Sequence, residues 1–543
     1  MKKEPHMATA APSRRILREL PLAIGVGLGW LWLWLAGQAF VLDGRMEGYG
    51  WSGYVRNAWS VHRGMSESYD YFRAPLHGWL LGGLGEGLGS YADAAILLSS
   101  LCVAGMVLSA GLIGRAMVGP WVGGLAAAAL PLTANTAHAA RWANSYPVIA
   151  VTTGGSLAAA LLLARSPHPA LALLTGALTG LAWAADGRGL VAIPPAVFLM
   201  LLAVWSVKGR QRWLIPAALA VGLLAGPGVK VAVDWDSTAV PSTAEKVTAQ
   251  RGVVHRWIHQ SADDDLMAAC GALPTEALLT RAYLSDPCAA AMVRYNHDRK
   301  IPRHLPLGGL AAFGVLAMLP GGRGWRGVGE GGGVLVAVCG LLTLATLTPL
   351  ADRYLLQFAV LLTVLAPVGV GRLLHTLAPA RARPWLSAAA MLAMGAWAWQ
   401  TDPTGRHMPT ALQSNQEKSR MEDFRQTLRD HVGPQTPFLD CSNQHIALSM
   451  LPRIPQAGFL FLNFPILRTD DAAACLFWIS EPPSPRALIA VDRQRMLRAG
   501  RSRDSEKVLL SAVLEDSGAW AVRLSEGSVE VWEQTADEAA ASP

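Results

Sequence analysis

The chain is dominated by a succession of apolar runs, each close to the ~20 residues that carry an α-helix across the hydrocarbon core of a bilayer. They lie near residues 21–42, 91–114, 121–140, 146–164, 169–185, 189–207, 213–233, 305–321, 331–350, 354–371 and 384–400. A backbone inside lipid finds no water, so such a chain must fold as helices that satisfy their own hydrogen bonds. The expected fold class is a polytopic α-helical membrane protein with about eleven transmembrane helices. Charge content agrees: 16% of the 543 residues are charged, against ~25% in a typical soluble protein. The stretch 75–89 (PLHGWLLGGLGEGLG) is apolar but short and glycine-rich, and reads as a juxtamembrane helix.

The positions of Lys and Arg give the orientation. Lys2, Lys3, Arg14, Arg15 and Arg18 precede the first run, and basic flanks stay in the cytoplasm. Every second loop is then basic: Arg115; Arg165; Lys208, Arg210 and Arg212; Arg323 and Arg326; Arg372, Arg381 and Arg383. The formal charge of +7 therefore belongs to membrane topology, and no nucleic-acid partner is implied. An odd number of spans puts residues 401–543 outside. The first run is too long for a signal-peptide core and lacks a small-residue cleavage site, so it reads as an anchor. The chain divides into a cytoplasmic N-terminus (1–20), a transmembrane domain (21–400) with extracytoplasmic loops 43–90 and 234–304, a periplasmic α/β domain (401–534) and a disordered tail (535–543). A bacterial inner membrane, multi-pass, is the expected location.

Cysteine placement is an independent check. Cys102 and Cys339 fall inside spans, whereas Cys270 and Cys288 fall in the 234–304 loop and Cys441 and Cys475 in the C-terminal region. Both latter pairs lie on the side assigned as extracytoplasmic, where disulfides persist. Neither spacing is that of a zinc site. In the C-terminal region, residues 416–432 have helical spacing. PFLDCSN reads as a strand leading into a loop, and AGFLFLNF, CLFWIS and ALIAVD are apolar runs of strand length. No phosphate loop, nucleophile elbow or metal cluster is present there.

The chemistry-bearing residues gather at the outer ends of the spans. Asp43, Arg45 and Glu47 follow the first run within a few residues, and Tyr71-Phe72-Arg73-Ala74-Pro75-Leu76-His77 opens the short apolar helix. A carboxylate at a membrane exit is either an ordinary solvated group or a partly desolvated base or metal ligand. Arg141, Arg188 and Arg353 stand at outer span ends, and Asp186 joins Arg188 in an AADGRG turn. The long loop adds His255, Arg256, Lys300, Arg303 and His304. Taken singly, each cation is better explained by snorkelling to headgroups. The run Asp263-Asp264-Asp265 fits a solvated charged face better than a cation site.

Four of these segments, in order, resemble the GT-C glycosyltransferases, in particular the branch of protein O-mannosyltransferases and lipid A aminoarabinose transferases. Glu47-Gly48-Tyr49 is similar to the family's acidic-plus-Tyr element, and Arg73-Ala74-Pro75-Leu76 to its Pro-Leu segment. Arg141-Trp142-Ala143-Asn144-Ser145-Tyr146-Pro147 resembles its Arg-to-Tyr-Pro stretch, and Asp352-Arg353-Tyr354-Leu355-Leu356 its Arg-Tyr-Leu-Leu-Pro. The chain departs from the pattern at three places. The acidic pair is not contiguous, Ala74 replaces the first proline of a pair, and Gln357 stands where a proline is usual.

The resemblance implies a GT-C-like fold over roughly residues 20–375 and a sugar transfer from a polyprenyl-phosphate donor to a glycan, lipid or protein acceptor. Asp43 or Glu47 would accept or orient the acceptor's proton. The donor phosphate or substrate would meet Arg73, His77, Arg141, Asp186, Arg188, Arg256, Arg303, Arg353 and Tyr354. A divalent metal ion is a candidate cofactor, with its ligands unassigned. Two other classes compete. A transporter would carry ionisable groups near the membrane midplane, and the spans here are nearly free of charge. A non-catalytic scaffold or sensor would act through its C-terminal domain and tolerate the loss of Asp43 and Glu47.

Overall fold

The computed structural model describes residues 12–39, 75–89, 91–132, 144–233, 263–271, 287–296, 331–340, 352–379, 438–442, 473–482, 486–494, 496–498 and 507–535, together with scattered positions that include parts of 54–62, 381–393 and 423–430. Helices dominate: α1 (Pro12–Ala39), α2 (Pro75–Leu88), α3 (Tyr91–Met117), α4 (Pro120–Ala129), α5 (Tyr146–Arg165), α6 (Pro169–Ala185), α7 (Ile193–Ser206), α8 (Gln211–Leu223) and α9 (Ala225–Val233). After them come α10 (Asp264–Cys270), α11 (Pro287–Tyr295), α12 (Gly331–Gly340) and α13 (Asp352–Leu377). Among the described residues four helical stretches are long and apolar enough to cross a membrane: Asp93–Met117, Tyr146–Arg165, Gly187–Ser206 and Gln211–Val233. The run expected at 305–321 and the second half of the one expected at 331–350 lie outside the described residues.

Proline starts several of these helices. It occupies one of the first two positions of α4, α5, α6 and α7, where its missing N–H costs nothing and its fixed φ suits the first turn. Asp186 serves two elements: its N–H closes α6 on Ala182 O at 3.2 Å, and its side chain caps the 3-10 helix Gly187–Ala192 that leads into α7.

The helices are held by close backbone contact. In lipid, apolar side chains gain little by leaving their surroundings, so tight packing through small residues drives association. Gly176 and Gly180 on α6 face Gly222 and Gly226 on α8 and α9. A methyl group at Gly176 would sit 2.2 Å from the Leu219 carbonyl oxygen, and one at Gly226 2.4 Å from that of Gly180. A second seam joins α1 to α4, where a methyl at Gly25 would lie 2.1 Å from Gly124 O. The far end of this second group is fastened by Arg115, whose Nε and Nη2 donate to Glu19 at 2.7 Å each.

Two further pieces follow. Ile258, Leu266, Cys270, Cys288 and Met292 form a small core in the long loop, closed by the Cys270–Cys288 disulfide. Asp263, first of the acidic run, caps α10 by accepting from Leu266 N at 2.9 Å. In the C-terminal region β1 (Phe438–Asp440), β2 (Leu488–Asp492), β5 (Trp520–Glu526) and β6 (Val529–Gln534) form one sheet in the order β1-β2-β6-β5, while β3 (Met496–Arg498) pairs β4 (Lys507–Leu509). β1 and β2 are parallel, and β5–β6 is a hairpin turned by Gly527 and Ser528, Gly527 adopting φ +61° as such two-residue turns require. The buried Glu530 carboxylate accepts from Arg493 Nε at 2.7 Å and from Trp532 Nε1 at 3.1 Å. Cys441 is bridged to Cys475, so both expected disulfides are present. CLFWIS, of strand length in the sequence, is helical within α14 (Ala473–Ser480). Within VLLSAVLEDSG, β4 gives way to α15 (Leu510–Ser517). Thr535, first residue of the expected tail, is tied in through Thr535 N to Ala519 O at 2.9 Å, and the rest of that tail lies outside the described residues.

The seam between α6 and α8 gives a direct test. Gly176→Leu should lower stability by about 1–3 kcal/mol or more, since the obstacle is backbone and cannot rotate away. Gly83→Ala on α2, where nothing lies within 4 Å of the added methyl, should be neutral or stabilising by up to ~1 kcal/mol. Thermal unfolding of the purified protein in detergent would separate the two.

Candidate functional site

Contacts between elements far apart in sequence converge at one end of the bundle. α5 begins after Asn144 and Ser145, and Asn144 Oδ1 accepts from Tyr146 N at 3.1 Å, a turn that starts the helix. Ser145 Oγ donates to the Tyr54 hydroxyl at 3.3 Å. The Tyr54 ring meets the His77 ring edge-on, with centroids 5.2 Å apart and planes at 77°. His77 is buried near the start of α2, which packs closely on the first-loop segment: a methyl at Gly82 would come within 2.5 Å of Ala58 O. On the other side, the Arg188 guanidinium lies 5.1 Å from the centre of the Tyr146 ring, within cation–π range.

Arg188 is held by Asp186 through two parallel hydrogen bonds, Nε to Oδ1 at 2.9 Å and Nη2 to Oδ2 at 2.5 Å. The same carboxylate accepts from Arg188 N at 2.9 Å. Both side chains are about one-quarter exposed or less. Burial pushes the Asp186 carboxyl up, but the Arg188 charge and its hydrogen bonds outweigh this and hold the group below the ordinary Asp range. Gln357, buried on α13, donates its side-chain amide to the Arg188 carbonyl oxygen at 3.1 Å. Arg353 and Tyr354 lie in the first turn of that helix, about one turn before Gln357. Beside Gln357 lies a small cleft between α5, α7, α12 and α13, walled by Leu157, Val191, Pro195, Phe358 and Leu361, with a volume of about 20 Å³, room for little more than a water molecule.

Of the residues expected from the sequence, His77, Asp186 and Arg188 are thus joined into one network through Tyr54, Ser145 and Tyr146. Asp43, Glu47, Arg73, Arg141, Arg256 and Arg303 lie outside the described residues, as do the side chains of Arg353 and Tyr354. The sequence reading did not assign Tyr54, Ser145 or Gln357 to the site. Gln357 carried one signal, its place in a motif where proline is usual. Ser145 lies in the quoted Arg141–Pro147 segment, but its pairing with Tyr54 carried no signal because it spans 91 residues. Among the described residues no three His, Cys, Asp or Glu side chains converge as a metal site.

Chemically the network is a cation held in a fixed orientation by Asp186 and Tyr146. A planar guanidinium presents a donor fork that matches phosphate or carboxylate oxygens. Asp186 neutralises it while no ligand is bound, and Tyr146 and Gln357 fix the side chain and the backbone of the same residue.

No family model and no curated relative matches the sequence. Solved structures do match. ArnT from Cupriavidus metallidurans bound to undecaprenyl phosphate aligns over 96% of this chain and 98% of its own, with a TM-score of 0.56 at 14% identity. The oligosaccharyltransferase of Archaeoglobus fulgidus in complex with Zn and sulfate aligns over 87% of this chain and 68% of its own, with a TM-score of 0.49 at 12% identity. The protein O-mannosyltransferase Pmt1–Pmt2 complex of S. cerevisiae bound to the sugar donor aligns over 44% of this chain and 36% of its own, at 0.32 and 14%. The chain has the GT-C glycosyltransferase fold.

Removing the Asp186 charge should have a pH signature. A carboxyl whose folded pKa is depressed contributes its full stabilisation above the ordinary Asp value of ~3.9 and loses it as the pH falls through the lower folded value. Asp186→Asn should therefore cost about 1–3 kcal/mol at pH 7, and the gap to the wild type should close as the pH is taken below ~4. Thermal denaturation of both proteins across that range is the measurement.

Proposed function

We propose that the chain is a membrane glycosyltransferase that moves a hexosyl or pentosyl group from a polyprenyl-phosphate donor to an acceptor at the periplasmic face of the inner membrane. The observation that carries this reading is the anchored Arg188, held by Asp186 and Tyr146 and tied through its backbone to Gln357, on a fold shared over nearly its whole length with a protein crystallised with undecaprenyl phosphate. A donor of this kind is an anion on a long apolar chain. Its phosphate suits a fixed guanidinium, and its isoprenoid chain suits the lipid around the apolar helices. Arg353 and Tyr354, at the start of α13, and Arg141, just before Asn144, would complete the phosphate contacts, with Arg73, Arg256 and Arg303 contributed by the loops.

The reaction is a direct displacement with inversion at the anomeric carbon. The acceptor oxygen forms a bond to that carbon as the bond from the carbon to the phosphate oxygen breaks. The acceptor's proton passes to Asp43 or Glu47, and the electron pair leaves with the polyprenyl phosphate, whose added charge the arginines stabilise. His77 and Tyr54 hold the first-loop segment against α2 and α5, so they position the loop on which the carboxylates lie.

The test is a transfer assay with the purified protein reconstituted in lipid and a panel of radiolabelled polyprenyl-phosphate sugars. Wild type should consume at least one donor. Either Asp43→Asn or Glu47→Gln, but not both, should lower kcat by roughly 100-fold or more, the scale of general-base loss. Full activity in both variants, or no donor consumed by folded wild type, would replace this reading with that of a scaffold acting through residues 401–534.

A further inference from the structure

The membrane face opposite Arg188 carries a surface that sugar transfer does not use. α7 runs away from Arg188 and ends at Ser206, while α8 and α9 run back, so that Val233 packs on Val61 of the first-loop segment. The hairpin between them reverses at Gly209, whose φ of +65° permits the tight turn, and is fixed by Trp213 N to Arg210 O at 3.1 Å. Lys208, Arg210 and Arg212 are all exposed, and none makes an ion pair among the described residues. No Asp or Glu occurs between Gly187 and Val233. Trp205 and Trp213 flank these cations and are 89% and 78% exposed, the first being the most exposed of the large apolar side chains described.

The cations of a short loop are here accompanied by two tryptophans turned outward on either side of them. The neighbouring surface settles what they face. Leu201, Val221 and Leu224 on the same helices are more than half exposed, and Leu214 is also exposed, so the helices present an apolar flank to lipid. The tryptophans stand at the end of that flank, where an indole can keep its ring in the acyl boundary and its N–H among headgroups. The cations lie between the two tryptophans in the chain, next to the N-terminus of α8, whose dipole adds to the positive field.

We propose that this hairpin binds the headgroup of an anionic phospholipid. Lys208, Arg210 and Arg212 pair with the headgroup phosphate, and Trp205 and Trp213 hold the glycerol and upper acyl region. A zwitterionic lipid brings its own ammonium to the same three cations and is disfavoured.

The experiment is native mass spectrometry of the full chain exchanged from detergent into mixtures of phosphatidylglycerol and phosphatidylethanolamine. Wild type should retain phosphatidylglycerol selectively. The triple variant Lys208→Gln, Arg210→Gln, Arg212→Gln should lose roughly a hundredfold in that preference, about fivefold per cation. The triple variant Arg14→Gln, Arg15→Gln, Arg18→Gln removes equal charge elsewhere and should retain it. Trp205→Leu with Trp213→Leu leaves charge and topology untouched and should weaken retention several-fold. No preference in wild type, equal losses in the two charge variants, or full retention in the tryptophan variant would each overturn the proposal.

Discussion

Everything at the Arg188 end depends on how closely the helices can approach one another. In water, two helices are pressed together by the apolar surface they remove from solvent. In a bilayer that drive is absent, and attraction comes from dispersion at short range and from the few polar contacts that cross the interface. Gly176, Gly180, Gly222 and Gly226 let the backbone of α6 lie against that of α8 and α9 with no side chain between. This fixes where α6 ends, and Asp186 is the residue at that end. Had the seam been built from leucines, α6 would stand several ångströms off, and the turn that holds Arg188 would move with it.

The turn itself shows how a short sequence can fix a cation. Asp186 stops α6, caps the next helix and orients Arg188 with one carboxylate. The three roles are compatible because the residue after it is glycine and the two side chains are separated by a single position. Gln357 then ties α13 to the same residue through its backbone. A proline there would have no amide to donate, and α13 would have to be held otherwise. The glutamine therefore has a structural use: α13 registers directly on the backbone of Arg188.

Legibility followed the range of the interactions. Helices in lipid are determined by local composition, so α5, α6 and α13 begin within two residues of where the apolar runs place them. The disulfides were legible because compartment and even numbers constrain them, without any knowledge of distance. Asp186 and Arg188 were legible because they are neighbours. Tyr54 and Ser145 were not, because their contact depends on the packing of α2 and α5, which no window of sequence contains. CLFWIS is a related case. A short apolar run of uniform hydrophobicity has no period, so the choice between strand and helix fell to its context, a disulfide to β1 and a buried Trp478.

The two membrane faces solve opposite electrostatic problems with the same residue types. At the Arg188 end the cation is partly buried, paired and stacked, which costs it freedom but gives it one orientation. At the 207–210 hairpin the cations are exposed, and mobile headgroups can adapt to them without a fixed geometry. The difference follows from what each must face. A reacting phosphate has to be presented at one angle to a nucleophile, so its partner must be rigid before it arrives. A structural lipid only has to stay, and many weak poses serve as well as one strong pose. Arg188 is held by a carboxylate that a bound phosphate would have to compete with, so selectivity at that end is gained at some expense of affinity.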